Sequence, residues 1–183
     1  MREIITPTVR GLAAERTPFC GFLYAGLMIG ADGAPRVVEF NARLGDPESE
    51  PILMRLKSDL LELIEAALDG QLEHTEAEWD RRAAIGVVMA AKGYPEAPRK
   101  GDTITGLPAP AEDLHVFHAG TLSAGGGRIV TNGGRVLCVT ALGDTLKAAQ
   151  SRAYDAVGEI VFDGAHFRRD IGWRAIARRG MHA

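Results

Sequence analysis

One segment of the chain, residues 36–48, reads RVVEFNARLGDPE and organises the sequence on either side of it. Directly before it lies Asp32-Gly33, a pair that is typical of the two-residue turn of a β-hairpin. This turn predicts that Arg36–Asn41 is a strand, and that it returns antiparallel to an apolar and aromatic strand at Cys20–Ile29. The first half of the chain is therefore predicted to contain a hairpin at its centre.

The returning strand carries polar side chains at alternate positions. Because side chains alternate between the two faces of a strand, Val37, Glu39 and Asn41 should share one face. Arg43 joins them if the strand continues that far. Mg²⁺ prefers oxygen ligands, takes few of them from protein and completes its shell with phosphate oxygens and water, so Glu39 and Asn41 are candidate ligands. The guanidinium of Arg43 is a candidate donor to a phosphate or a carboxylate.

A simpler interpretation of the same pattern also stays open. Polar faces are common on antiparallel strands, and Glu39 and Arg43 can pair with neighbouring charges on a solvated face.

Helices are predicted on both sides of the hairpin. Residues 1–14 have an amphipathic pattern that opens with no cap residue, so we expect that Met1 is not the start of a complete domain. After the hairpin, Asp46 can cap a helix and Pro47 suits its first position. The apolar stripe that follows predicts one helix as far as Leu68.

The second half of the chain is predicted to be mostly antiparallel sheet. A polar connector at residues 71–82 marks a boundary, which gives one domain at residues 1–80 and a second at residues 81–183. Strands are predicted at Ala83–Ala91, Asp102–Thr105, His115–Thr121, Arg128–Thr131 and Arg135–Leu142. A helix capped by Asp144 follows, and the chain ends in an irregular basic tail. The expected fold class is α/β to α+β.

Composition excludes several classes of function. The chain has 183 residues with 21 Lys or Arg and 24 Asp or Glu, so its net charge is −3 and we expect no nucleic-acid partner. Cys20 and Cys138 are too few and too far apart for a zinc site, and we expect both to be buried, reduced thiols. No apolar run approaches the roughly 18 residues of a membrane helix, and the first residues are not a signal peptide. We therefore expect a cytoplasmic protein with no membrane partner.

Several blocks of this sequence resemble one family of enzymes. Gly21–Met28 (GFLYAGLM) followed by Val38–Glu48 (VEFNARLGDPE) closely resembles the phosphoribosylamine–glycine ligases, which are ATP-grasp enzymes of purine biosynthesis. Later blocks resemble the C-terminal domain of that family: GVVMAA at 86–91, GYP at 93–95, VFHAGT at 116–121, VTNGGRVL at 130–137 and DIG at 170–172. The resemblance implies that residues 1–80 are the C-terminal part of an ATP-grasp domain and that residues 81–183 are the C-terminal domain.

The resemblance also implies an activity and a set of site residues. Enzymes of this family join glycine to 5-phosphoribosylamine through a glycyl phosphate, and give glycinamide ribonucleotide, ADP and phosphate. By this resemblance, Glu39 and Asn41 would hold Mg²⁺ or Mn²⁺ against the phosphates of the co-substrate ATP. Arg43 would be catalytic and bind substrate at the transferred phosphoryl group, and Gly45 and Asp46 would bind substrate in the same pocket.

Members of this family are more than twice as long as this chain, so the resemblance implies a partner, the N-terminal part of the same enzyme. The isolated chain is then expected to be inactive. Ser49-Glu50 stands where the family often has Thr and Gln, a mild departure that touches only fine substrate contacts. Two alternatives stay open: another ATP-grasp carboxylate–amine ligase, and a domain without catalytic activity.

Overall fold

The turn of the predicted hairpin comprises three residues, Ala31, Asp32 and Gly33, and not two, because the N–H of Gly30 donates to the carbonyl oxygen of Ala34 across it at 3.1 Å. In the computed structural model, which describes residues 1–179, strand β1 (Tyr24–Ile29) pairs antiparallel with strand β2 (Pro35–Asn41). Gly33 adopts the positive φ of 77° that this turn requires. The carboxylate of Asp32 accepts a hydrogen bond from the backbone N–H of Ala34 at 3.0 Å, and the hairpin is confirmed.

A bulge interrupts the pairing of this hairpin. Glu39 lies opposite Gly26, but the next pair is Val37 with Leu27, so Val38 has no partner on β1. Residues that are paired across the two strands lie on the same face of the hairpin, whereas consecutive residues on β1 lie on opposite faces. Val37 therefore shares the face of Leu27, and the prediction that it lies beside Glu39 is wrong.

The helices of the first half are shorter than predicted. Helix α1 spans Ile5–Ala14, which agrees with the amphipathic pattern. The single helix predicted as far as Leu68 is instead two, α2 (Ser49–Arg55) and α3 (Leu60–Leu68). The chain is extended at Leu56, and the carboxylate of Asp59 starts α3 by accepting the N–H of Leu61 at 2.7 Å.

Helix α2 begins two residues later than predicted, at Ser49, so its N-cap residue is Glu48 and not Asp46. The side chain of Glu48 makes no capping hydrogen bond. A short 3₁₀ turn at Leu72–His74 follows α3.

The second half contains the remaining strands, which are β3 (Ala83–Ala90), β4 (Thr103–Ile104), β5 (Leu114–His118), β6 (Thr121–Ser123), β7 (Ile129–Thr131), β8 (Arg135–Gly143) and β9 (His166–Phe167). They form a four-stranded sheet in the order β5-β8-β3-β9 and a three-stranded sheet in the order β4-β7-β6. Every pairing is antiparallel, as the sequence predicts.

Two helices complete this half, α4 (Leu146–Glu159) and α5 (Trp173–Arg179). The cap of α4 is Thr145, whose hydroxyl accepts the N–H of Ala148 at 3.1 Å, and not its neighbour Asp144. Strand β9 precedes the basic tail, which was predicted to be irregular from Arg168, and the tail itself is not irregular throughout because it includes the start of α5. Residues 180–183 of the predicted second domain lie outside the described residues.

The chain separates into two units, one comprising Met1–Asp46 and Ser58–Glu78, the other comprising Pro47–Lys57 and the described residues from Trp79 onward. The hydrophobic core lies in the second unit, where β3, β8 and α4 bury Val87, Met89, Val139, Ala153 and Val157. Cys138 is buried there as expected, whereas Cys20 in the first unit is exposed. No helix in residues 1–179 is long and apolar enough to cross a membrane.

Candidate functional site

The end of β2 brings two of the predicted site residues together. Glu39 and Asn41 lie two positions apart in regular strand geometry, and their cross-strand partners are Gly26 and Tyr24. The two side chains therefore emerge on one face of the hairpin. Glu39 is exposed and Asn41 is half-buried. A carboxylate and an amide oxygen are accordingly presented side by side at the edge of the first unit.

Arg43 is not part of this strand. Strand β2 ends at Asn41, and Arg43 lies in a bend of the loop that follows. Its Nη1 donates a hydrogen bond to the carbonyl oxygen of Leu44 at 3.0 Å, and the side chain is exposed. The loop, and not the alternation of the strand, therefore sets the position of the guanidinium.

Gly45 and Asp46 complete this loop. Gly45 is buried, and it is the only buried residue among the described residues of the first unit. Asp46 is exposed. The loop thus combines a buried backbone position with an exposed carboxylate, and it connects the strand to the segment that leads into α2.

The chemistry of this donor set fits a hard divalent cation. Among the described residues there is no group of three or more His, Cys, Asp or Glu side chains that could hold a metal ion by themselves. Zinc sites of closed coordination require such a group, whereas Mg²⁺ is typically bound through one or two protein oxygens together with phosphate oxygens and water. Glu39 and Asn41 can supply those two oxygens.

One acidic side chain near the start of α2, that of Glu50, was not predicted to be a site residue. The Oε2 atom of Glu50 is buried and has no hydrogen-bond partner in the part of the chain that the structure describes. A buried polar atom without a partner is unfavourable, so this oxygen is suited to meet a donor supplied from outside these residues. The only sequence signal was the Ser49-Glu50 departure described above.

A second feature that the sequence did not indicate is a cleft of about 730 Å³ in the second unit. Charged side chains from α4 and from loop positions next to the ends of strands line it, and these are Arg82, Asp113, Asp144, Arg152, Asp155 and Glu159. Arg152 and Asp113 pair there, with Nη1 and Oδ2 2.6 Å apart. The residues that form this cleft are scattered over three elements and the loops between them, so no local motif marks it.

Comparison with known proteins gives two family matches in order along the chain. Residues 1–49 match the ATP-grasp (A) domain of phosphoribosylglycinamide synthetase, and residues 84–174 match the C domain of the same enzyme. The hairpin and the loop that carry Glu39, Asn41, Arg43, Gly45 and Asp46 all lie within the first match.

Individual relatives agree with these matches. The chain is 58% identical over 178 residues to a phosphoribosylamine–glycine ligase of Ralstonia nicotianae, and 62% identical over 179 residues to one of Allochromatium vinosum. Each match covers 97% of this chain and 42% of the relative. A crystal structure of a phosphoribosylamine–glycine ligase from Thermotoga maritima superimposes with a TM-score of 0.74 and 39% identity, over 88% of this chain and 39% of that one.

Fold and matches together define a portion of an ATP-grasp ligase, with an α+β architecture. The chain belongs to the phosphoribosylamine–glycine ligase family and corresponds to its C-terminal portion. It spans about 42% of the length of the curated relatives that it matches.

Proposed function

We propose that this chain forms the C-terminal portion of an enzyme that ligates glycine to 5-phosphoribosylamine at the expense of ATP in the cytoplasm. The observation that carries the proposal is the continuous similarity to ligases of this name over 97% of the chain. Within it, residues 1–80 would complete the ATP-grasp domain and residues 81–183 would form the C-terminal domain. The C-domain match at residues 84–174 favours this ligase over other ATP-grasp carboxylate–amine ligases.

The reaction has two steps, and the site must stabilise negative charge in both. The γ-phosphoryl group of ATP passes to a carboxylate oxygen of glycine, which gives glycyl phosphate and ADP. The amine nitrogen of 5-phosphoribosylamine then attacks the carbonyl carbon, the carbon–oxygen bond to phosphate breaks, and the nitrogen loses a proton as the amide forms. Both steps depend on positioning and on stabilising negative charge.

Each candidate residue has a role in this scheme. Glu39 and Asn41 would hold Mg²⁺ or Mn²⁺, which when bound neutralises phosphate charge. The guanidinium of Arg43 lies in an exposed bend and can donate two parallel hydrogen bonds to oxygens of the transferred phosphoryl group. The backbone N–H of Gly45 would bind the substrate, and the carboxylate of Asp46 would accept a hydrogen bond from the amine.

The chain requires the remainder of the ligase as its partner under this proposal. Its candidate residues would supply ligands for a metal and for a phosphoryl group. The match to the ATP-grasp domain, however, covers only residues 1–49 of this chain. The chain covers 42% of the length of these relatives, so the chain alone is expected to be inactive.

An assay of ADP release tests this proposal. Glycine, ATP, Mg²⁺ and 5-phosphoribosylamine are supplied to the 183-residue chain, and to a chimera in which the chain replaces the matching portion of the Allochromatium vinosum ligase. We expect no ADP release from the chain alone and release that depends on both glycine and the amine from the chimera. A chimera that folds but releases no ADP, or that accepts other amines equally well, would contradict the proposal.

A further inference from the structure

Gly26 occupies the interior of strand β1, where glycine is normally disfavoured. Its backbone is ordinary extended strand, because it is not among the glycines of positive φ. Glycine in a strand interior weakens the strand, and it commonly marks a place where another group approaches the backbone closely. Strand glycines also accompany bulges, and the bulge at Val38 lies next to this pair, but the space beside Gly26 gives a further reason for a residue without a side chain.

That space is occupied by Glu39. A Cβ atom on residue 26 would lie 3.0 Å from Cγ and 3.7 Å from Oε1 of Glu39, and 3.6 Å from Cε1 of Tyr24. The first distance is shorter than ordinary carbon–carbon contacts. Cγ must therefore move by a few tenths of an ångström, and since it is the first atom beyond Cβ in the glutamate side chain, rotation about χ1 is the most direct way to move it. The side chain of Glu39 thus lies across β1 on the bare backbone of Gly26.

A second glycine in a strand has a different role, which is to allow close packing. Gly86 lies in β3 of the second unit, and a Cβ there would meet Cys138 Sγ at 3.1 Å and Pro51 Cδ at 3.4 Å. Those neighbours belong to the packed interior and to helix α2, so Gly86 allows close packing. At Gly26 the closest neighbour is instead an exposed, flexible carboxylate side chain, which has no packing function to explain the glycine.

We propose that Gly26 is a positioning residue for Glu39: its bare backbone allows the glutamate side chain to lie across β1, and a side chain at position 26 displaces Cγ of Glu39 and with it the carboxylate. The consequence for metal binding rests on the proposed function, in which Glu39 and Asn41 act as a pair. The geometric claim does not rest on it, because it concerns the rotamer of Glu39 alone.

The first experiment measures that rotamer in the 183-residue chain. Three-bond couplings report χ1 of Glu39 in the parent chain and in Gly26→Ala, Gly26→Val and, as a control, Gly11→Ala. Gly11 lies in α1 with no atom within 4 Å of its built Cβ. We expect a changed χ1 in both Gly26 variants and an unchanged χ1 in the control. Hydrogen exchange of the β1–β2 amides should be no faster in Gly26→Val, because valine favours strands. An unchanged χ1 in the two Gly26 variants would overturn the proposal.

The second experiment measures Mn²⁺ affinity in the chimeric ligase by electron paramagnetic resonance, which does not depend on turnover. We expect Gly26→Val to weaken Mn²⁺ binding by about 10-fold, the order of effect for groups that orient a metal ligand. Gly26→Val should have no further effect in the Glu39→Ala background, where Cγ is absent. A full additional loss in the double variant would overturn the positioning role. If Glu39→Ala itself leaves Mn²⁺ affinity unchanged, the proposed metal role fails, and the χ1 measurement still decides the role of Gly26.

Discussion

The two units of the chain bury their apolar residues to very different extents. In the second unit, β3, β8 and α4 enclose a core in which Met89, Val87 and Val139 are fully buried. In the first unit, helices α1 and α3 contain no buried residue, and apolar side chains on the hairpin are exposed. The exposed ones include Leu27, Met28, Ile29, Val37, Val38 and Phe40.

This difference indicates that the second unit stabilises the chain, whereas the first unit contains the candidate site. Extended apolar surface on a soluble domain typically marks a place that another polypeptide covers. All five candidate site residues lie in the first unit, while the second unit contains the core. We infer that the second unit provides most of the folding free energy of this chain, and that the first unit depends on further polypeptide to bury its surface. Four predictions test this division of roles.

The largest effect is expected at Glu39. In the chimeric ligase, Glu39→Ala should lower kcat by roughly 10²-fold, because it removes a carboxylate that would neutralise charge through the bound metal. The thermal midpoint should not change, because Glu39 is exposed. Steady-state ADP release and a thermal melt check both parts. Normal turnover in this variant would contradict the proposal that Glu39 is a metal ligand.

A matched pair of methionines tests where the stability lies. Met89→Ala in the second unit should reduce the free energy of unfolding by about 2–5 kcal/mol, since the side chain is 0% exposed and its removal leaves a cavity. Met28→Ala in the first unit should change it by less than about 0.5 kcal/mol, since Met28 is 63% exposed. Urea denaturation of the isolated chain measures both. Equal effects would contradict the division of roles.

The exposed hairpin face is tested by Phe40→Ser. Phe40 is 43% exposed, so the substitution should lower the isolated chain's free energy of unfolding by only about 1–2 kcal/mol, less than the loss of a fully covered ring. In the chimera it should lower the thermal midpoint by several degrees, because the ring would then be covered by the added polypeptide. Leu122→Ser in β6, where the leucine is 54% exposed, is the control and should have little effect in either context. A Phe40 variant that behaves like this control would show that the face stays uncovered.

The smallest effect is expected from an ion pair at the start of β3. The guanidinium of Arg82 and its backbone N–H lower the pKa of Asp80 from 3.8 to about 2. A carboxyl with a lowered pKa stabilises the fold above its unfolded pKa, and this contribution is lost as the pH falls through the folded value. The thermal midpoint of the chain should therefore fall between about pH 4 and pH 2.

The control for this prediction is Asp80→Asn, which removes the titrating group. Its midpoint should be lower than that of the parent at neutral pH, and the gap should narrow as the pH falls towards 2. A gap that is constant over this range would show that the carboxylate charge does not contribute. The same melts on the parent chain provide the reference.

Much of the fold could be predicted from local chemistry. Asp32-Gly33 specifies a turn by its backbone requirements, and alternation and apolar runs indicated the long strands β3 and β8. The break between α2 and α3 was also readable, since Asp59 followed by Glu62 is a capping-box pattern within the apolar stripe. The stripe continues across the break because both helices present apolar residues, which is why the periodicity alone predicted one helix.

The candidate site was predictable only in part. The pairing of Glu39 with Asn41 follows from the period of a strand, which the structure keeps at this end of β2. The bulge at Val38 has no signal on β2, because valine is a regular strand residue; the one signal is Gly26 on β1, since glycine in a strand interior often marks a bulge. The position of Arg43 depends on loop geometry for which the sequence offered no periodic pattern. The N-cap of α4 could not be decided from the sequence, because Asp144 and Thr145 are adjacent and both residue types are good N-caps.

The bulge has a consequence for how this hairpin can change in evolution. Removing Val38 would keep every cross-strand pair and restore an unbroken ladder, whereas removing a residue between Glu39 and Asn41 would shift the register by one and turn a site side chain to the other face. Residues added or removed at the Asp32-Gly33 tip would leave the inner pairs in place. Insertions and deletions should therefore be tolerated at the tip of this hairpin, and loss of the unpaired Val38 should also be tolerated, but they should be excluded between Glu39 and Asn41.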